Sequence, residues 1–281
     1  TYFAEVARRE LQASDFAKRR NDASVDSAQS PILARDLFGG ALDLAELLGQ
    51  RTAQMHAALA NATDPAMAPK AFTPHYQRSL YQSTRQQLRE VLSLLRRRIS
   101  VLDGAALRNA ETMLGMGHTV FEKLDPVKDQ RIDAQRIRVH GDYHLEQVLM
   151  QNDDFIILDF EGEPSASLSE RRIKRSPLKD VAGMLRSFDY AARPILAEIA
   201  PTGSPTLEAA CAYWVNWVSG AFVRGYLRAG GQELLPEGSS ASETLLRNFL
   251  LEKAAYEVAY ELNNRPTWVD IPLHGIVEQL S

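Results

Sequence analysis

Apolar residues recur at helical spacing along most of the chain. In 2–20, Phe3, Val6, Ala7 and Glu10 step round one face of an amphipathic helix. In 34–60, Leu37, Leu44, Leu47, Leu48, Met55 and Leu59 predict one or two helices, with Gly39-Gly40 as the point of a break. Between these lies a polar stretch, NDASVDSAQS, read as a loop; Pro65, Pro69 and Pro74 make 62–74 irregular. Helices are expected again over 76–98 and 103–123. The period then changes. The β-branched runs 137–139, 148–150 and 155–158, with the turn residues Asn152-Asp153-Asp154 between the last two, predict a small island of strands. After Pro177 the helical period returns over 178–191, 206–229, 242–263 and, briefly, 276–280. The expectation is a mainly α chain with a small β island, in three parts: a helical 1–130, a loop-and-hairpin 131–175 and a helical 176–281.

Composition narrows the classes of function. The 281 residues, 45% hydrophobic and 24% charged, are enough for a sizeable core. A net charge of −4 gives no basic field to attract nucleic acid. No apolar run approaches the roughly 20 residues of a membrane span. The only cysteine, Cys211, excludes an internal disulfide and fits a reducing compartment, so a cytoplasmic location is expected. The chain opens on Thr1 with no signal-peptide pattern and reads as starting inside a longer protein.

The chemistry concentrates in the island. His140-Gly141-Asp142-Tyr143-His144-Leu145-Glu146-Gln147 lies between two predicted strands, where a rigid scaffold presents a loop. Asp159 closes the next strand and leads into Phe160-Glu161-Gly162. Kinase-type phosphoryl transfer uses an aspartate that accepts the acceptor hydroxyl's proton. Five residues on, a side-chain amide oxygen binds Mg²⁺, and beyond a hairpin a second aspartate binds Mg²⁺ between the phosphates. Asp142, Gln147 and Asp159 stand at those intervals. One amide and one carboxylate suffice for Mg²⁺, which keeps waters and phosphate oxygens. The reading is transfer from Mg·ATP to a sugar.

"HGDYHLEQV", "DFEGEP" and "ERRIKRSPLKDVAGMLRSFDYAA" together resemble the bacterial maltokinases, including the maltokinase part of trehalose synthase–maltokinase fusions. These belong to the aminoglycoside-phosphotransferase-like branch of the protein-kinase-like fold. The resemblance is dense over 138–192 and looser through "LGQRTAQMHAALA" and "LEKAAYEVAYELNNRPTW". It implies Asp142 as catalytic base, Gln147 and Asp159 as Mg²⁺ ligands, His140 as a brace of the loop and Asp180 as the helix-start carboxylate holding the loop's backbone. Gln147 departs from the Asn usual in kinases. Glu161 stands where many have glycine, and is open as a metal ligand or a neighbour of one.

Lys253, Tyr256, Glu257 and Tyr260 fall at i, i+3, i+4 and i+7, on one helix face. Tyrosine rings against sugar C–H faces, with charged groups at the hydroxyls, suit a disaccharide. The same stripe taken bare is more often a packing face. The resemblance implies that Lys253, Tyr256 and Tyr260 contact maltose, with His144 and Arg265. His144 is otherwise a hydrogen-bonded structural histidine. Arg171, Arg172 and Lys174 are candidate phosphate contacts or merely a charged loop, and Arg96–Arg98 a solvated helix end. Trp214 and Trp217 are expected in the core.

By the resemblance the chain starts just past the N-terminal β-lobe. It shows no Gly-rich phosphate loop or β-rich opening segment with a strand lysine. The expectation is thus a helical C-lobe with ATP and Mg²⁺ as cofactors, nearly inactive by itself, with maltose and a fused or partner trehalose synthase domain as partners. Two other classes stay open. In a metal-dependent phosphoesterase, His140, Asp142, His144 and Asp159 would ligate a transition metal. A non-catalytic sugar-binding module would keep maltose binding without transfer.

Overall fold

The computed structural model describes residues 2–9, 11–17 and 32–280. Its helices are α1 (Tyr2–Arg8), α2 (Ala13–Ala17), α3 (Ile32–Ala60), α4 (Pro74–Arg98), α5 (Gly104–Gly115), α6 (Gly117–Glu122) and α7 (Asp125–Asp129), then α8 (Leu168–Arg171), α9 (Leu178–Ile199), α10 (Pro205–Arg228), α11 (Ser239–Asn264) and α12 (Asp270–Leu280). The strands are β1 (Lys70–Ala71), β2 (Gln135–Arg136), β3 (Val148–Gln151) and β4 (Asp154–Ile157). They form two antiparallel pairs, β1 with β2 and β3 with β4.

Local chemistry sets several boundaries. Thr73 caps α4, its hydroxyl accepting from Tyr76 N at 3.3 Å, and Pro74 occupies the first turn, where its missing N–H costs nothing. Arg96, Arg97 and Arg98 lie exposed in its last turn, where cations suit the helix dipole. Ser204 and Pro205 open α10 in the same way, Leu207 N donating to the serine hydroxyl at 3.4 Å. Asn152 and Asp153 both have positive φ (50° and 61°), the type I′ turn whose twist matches a two-stranded hairpin.

The core sits between long helices. Trp217, Phe222, Leu48 and Phe249 are fully buried, and Cys211 with them. Trp214 packs edge-on to Phe188. Helices α3 and α10 cross so closely that a Cβ added at Gly225 would lie 2.0 Å from Glu46 O, and one at Gly49 2.0 Å from Phe222 O. Among the described residues no helix is long and apolar enough to cross a membrane.

The expected elements are corrected in six places. Of the expected 2–20 helix, the described residues form two short ones, 18–20 lying outside them: Gln12 N donates to Asp15 Oδ2 at 2.8 Å, starting a new helix instead of continuing the first. Glu10 and the 21–30 loop lie outside the described residues. Helix α3 is bent at Phe38 (φ −152°, ψ 34°), one residue before the expected glycine pair. The 103–123 helix breaks at Met116, between Gly115 and Gly117. The 137–139 strand reduces to a single bridge from Ile137 to Arg175, with β2 just before it; beyond the bridge the backbone donors His140 N and Gly141 N turn to a carboxylate of α9. At the other end of the chain, α9 runs on through Pro194 and α12 spans a full Asp270–Leu280.

Candidate active site

The loop 140–147 is held from three sides. Buried Asp180, in the first turn of α9, accepts from His140 N at 2.7 Å and Gly141 N at 2.9 Å. It is also bonded by His56 Nε2 at 3.0 Å, and His56 Nδ1 bonds the Tyr226 hydroxyl at 3.1 Å. Burial pushes the Asp180 carboxyl up, but the hydrogen bond and charge of His56 and the Gly141 N–H outweigh it and hold its pKa below the ordinary value. From the hairpin, Leu158 O bonds His140 Nε2 at 2.6 Å while Asp142 N donates to His140 Nδ1 at 3.4 Å. From α3, Thr52 Oγ1 bonds the buried Tyr143 hydroxyl at 2.9 Å. Gly183 of α9 lies directly beneath: a Cβ there would stand 2.5 Å from Tyr143 O. Gly141 (φ 92°) and Gly162 (φ 79°) turn in the left-handed region, and an added Cβ at Gly141 would meet Gly162 Cα at 3.3 Å.

This scaffold presents Asp142 to a cavity of about 340 Å³ lined also by Glu163, Lys179, Lys253 and Tyr256. Lys253 Nζ lies 3.2 Å from Asp142 Oδ1, and His144 Nε2 3.7 Å from Oδ2. Partial burial raises the Asp142 pKa; His144 and Lys253 lower it by more, and the carboxyl ends well below its usual range. Lys253, half-buried, has its ammonium form favoured by Asp142, Glu257 and Glu163 over the cost of desolvation.

The register Val148↔Ile157 and the bond from Leu158 N to Gln147 O (2.9 Å) bring Gln147 next to the strand end that carries Asp159. Asp159 is exposed, with φ 60°. An amide and a carboxylate oxygen are hard donors that suit Mg²⁺, and an exposed rim leaves room for phosphate oxygens and waters. A transition-metal site fits less well. Both His140 ring nitrogens are engaged with backbone, and among the described residues no group of three His, Cys, Asp or Glu side chains converges. Glu161, exposed, has Arg171 Nη1 at 3.7 Å.

On α11 the stripe divides. Tyr256 and Tyr260 stack with ring centroids 6.3 Å apart, and Lys253 Nζ sits 5.2 Å from the Tyr256 ring. Glu257, read onto the same face, turns inward instead, accepting from Arg186 Nε at 3.0 Å and Nη2 at 2.9 Å; it belongs to the packing with α9. Arg265 lies over Tyr260 (5.6 Å) and Trp268 (4.6 Å), held by Glu261 at 2.7 and 3.0 Å. Two of the candidate phosphate contacts are spent on the backbone: Arg171 on Pro164 O (2.6 Å) and Ala166 O (2.9 Å), and buried Lys174 on Ala68 O. Glu163, absent from the residues singled out in sequence, accepts from the Tyr256 hydroxyl at 2.9 Å. Its only signal was a second glutamate in "EGEP".

No family model matches the chain. It is similar to a glucosamine kinase of Streptacidiphilus jiangxiensis, 24% identical over 252 residues that make up 89% of this chain and 52% of that protein. It is also similar to a glucosamine kinase of Mycolicibacterium smegmatis (strain ATCC 700084 / mc(2)155), 27% identical over 267 residues, 89% of this chain and 55% of the relative. The chain thus spans about half the length of the curated relatives it matches. A solved glucosamine kinase in complex with glucosamine, ADP and inorganic phosphate superposes with a TM-score of 0.67 at 22% identity, over 95% of this chain and 59% of the other. The fold is therefore that of a kinase-like helical region.

Proposed function

We propose that this chain is the acceptor-binding and base-bearing part of an ATP-dependent sugar kinase. The observation that carries the reading is Asp142 at the mouth of a cavity, facing Lys253 at 3.2 Å, with Tyr256 on the same wall. The sugar hydroxyl takes the place of the Lys253 ammonium's or His144's contact on Asp142 and is oriented for attack. A carboxylate held far below its usual pKa is a weak base, so its part is orientation and late proton uptake as the phosphoryl group transfers through a loose transition state. The proton moves from the hydroxyl to Asp142 while the γ-phosphoryl group moves to the hydroxyl oxygen. Gln147 and Asp159 would hold Mg²⁺, which when bound neutralises phosphate charge. Asp180 and His140 keep the loop in place.

The acceptor favoured here is maltose at its anomeric hydroxyl, supported by the maltokinase-like stretches and by the Tyr256–Tyr260 stack, long enough for more than one ring. Glucosamine, on which the relatives act by name, is the second reading, and the Glu163 carboxylate beside the cavity is the group that would meet its ammonium. The test follows γ-phosphate transfer from Mg·ATP to glucose, glucosamine, maltose and trehalose with the full-length protein, beside Asp142→Asn. Transfer to maltose that falls by about 10²–10⁴-fold in the variant is expected. Transfer to glucosamine alone would replace the acceptor. Sugar binding without transfer to anything would leave a binding module on a kinase-like fold.

A further inference from the structure

Tyr256 and Tyr260 do not end at the cavity that holds Asp142. Cations and rings follow one another along a continuous line: Lys253 over Tyr256 (5.2 Å), Tyr256 on Tyr260 (6.3 Å), Arg265 over Tyr260 (5.6 Å), Arg265 over Trp268 (4.6 Å). The line is open to solvent, with Tyr260 44% exposed and the Arg265 side chain 46% exposed, whereas a packing ladder would be covered. Its arginine is fixed in place by Glu261, which is buried and also accepts from the Tyr190 hydroxyl at 3.2 Å. At its far end Trp268 forms a wall of a second cavity of about 1040 Å³, between the start of α5, the end of α9 and the starts of α10 and α12. That cavity is lined by two arginines, Arg108 and Arg193, and two carboxylates, Glu208 and Asp270; Arg193 Nε donates to Asp189 Oδ1 at 3.1 Å and Asn109 Nδ2 to Asp270 Oδ1 at 2.8 Å. Balanced charge with several donors and acceptors does not select an anion. It suits a neutral ligand rich in hydroxyls, with the indole as its apolar contact. Burial and the Arg193 charge lower the His274 pKa, which keeps that wall of the cavity neutral as well.

We propose that this second cavity is a remote sugar subsite, and that the acceptor is a gluco-oligosaccharide laid along the Tyr256–Tyr260–Arg265–Trp268 line with its reducing end at Asp142. This rests on the sugar-kinase reading and extends it. A monosaccharide acceptor would leave both the line and the second cavity without a ligand.

Calorimetric titration of glucose, glucosamine, maltose, maltotriose and maltotetraose against the full-length protein tests this. Affinity is expected to climb beyond maltose, by about tenfold overall, since one well-placed ring contact is of that size. Trp268→Ala should abolish the climb while leaving maltose affinity within about twofold. Trp268 is half-buried, so Ala197→Trp, at an exposed residue of the cavity wall, serves as the second variant: it fills the subsite from outside and should abolish the same climb. An affinity flat from maltose onward, or a climb that survives both substitutions, would overturn the remote subsite and leave the kinase reading intact. Binding of none of the five sugars would overturn both.

Discussion

Asp142 is where one side chain decides most. Its carboxyl is flanked by Lys253 and His144, and their charges outweigh the burial that would raise its pKa. The group is therefore ionised throughout the ordinary range and imposes no acid limb on the rate above about pH 4, the unperturbed carboxylate value. Removing one flanking cation reverses part of that balance. In Lys253→Met the Asp142 pKa should rise, and the acid limb of kcat/KM should move to higher pH than in the wild type, alongside a loss of affinity for the sugar. Carboxyl-carbon NMR titration of Asp142 in the two proteins checks it; superimposable titrations would mean that Lys253 does not set the charge of Asp142. The residues of this constellation were legible in different degrees. Asp142, Gln147 and Asp159 stood out because their ordered spacing is the one the proposed chemistry uses. Glu163 did not, since no spacing says that it faces Tyr256. Glu257 misled, because helical periodicity marks a face but not where that face turns from the cavity toward Arg186.

At the scale of elements, the loop depends on how closely α9 approaches it. Gly183 lets the helix touch the Tyr143 carbonyl, where a Cβ would stand 2.5 Å from the oxygen. Gly183→Ala must push Tyr143 and its neighbour Asp142 away from Lys253. Overpacking of this kind costs about 1–3 kcal/mol. The expected outcome is a fall in kcat larger than the change in KM, with a lower Tm. Gly115→Ala, at a helix end with open space around it, should instead gain about 0.4–1 kcal/mol by narrowing the unfolded ensemble. Paired calorimetry on the two variants separates close approach from mere loss of glycine; equal shifts of the same sign would refute the clamp. The long helices and the β3–β4 hairpin were readable from period and turn residues. Their interruptions were not. The break at Met116 and the bend at Phe38 sit beside glycines, which permit either outcome, and the 137–139 run stops at one bridge, its continuation at His140 and Gly141 donating to Asp180, some forty residues on, instead of to a strand.

For the molecule as a whole, the α3–α10 crossing and the buried charges set stability. Gly49 and Gly225 leave no room for a methyl group between the two helices, a closeness that neither helix's sequence declares because a mid-helix glycine names no partner. The buried carboxylates add a pH dependence whose sign can be worked out. Buried Asp180 and half-buried Glu252 have depressed pKa values, through His56 and Lys179 respectively, and Asp142 joins them. A depressed group contributes stability above its unfolded pKa, about 3.9 for Asp and 4.3 for Glu, and loses it as pH falls toward the folded value. Glu257 acts oppositely: burial raises its pKa more than Arg186 lowers it, so its contribution is present at low pH and fades as pH rises through the folded pKa. Three groups against one make acid destabilising overall. Thermal melts followed by far-UV circular dichroism should show a Tm steady from pH 7 to 5 that drops below pH 4. Asp180→Asn should lower the Tm at pH 7, by about 1–3 kcal/mol of stability for a buried acceptor stripped of its charge, and should flatten the drop because one titrating group is gone. A Tm that rises between pH 5 and 3, or an acid drop of unchanged depth in Asp180→Asn, would show that this carboxylate does not tie the loop of Asp142 to α9.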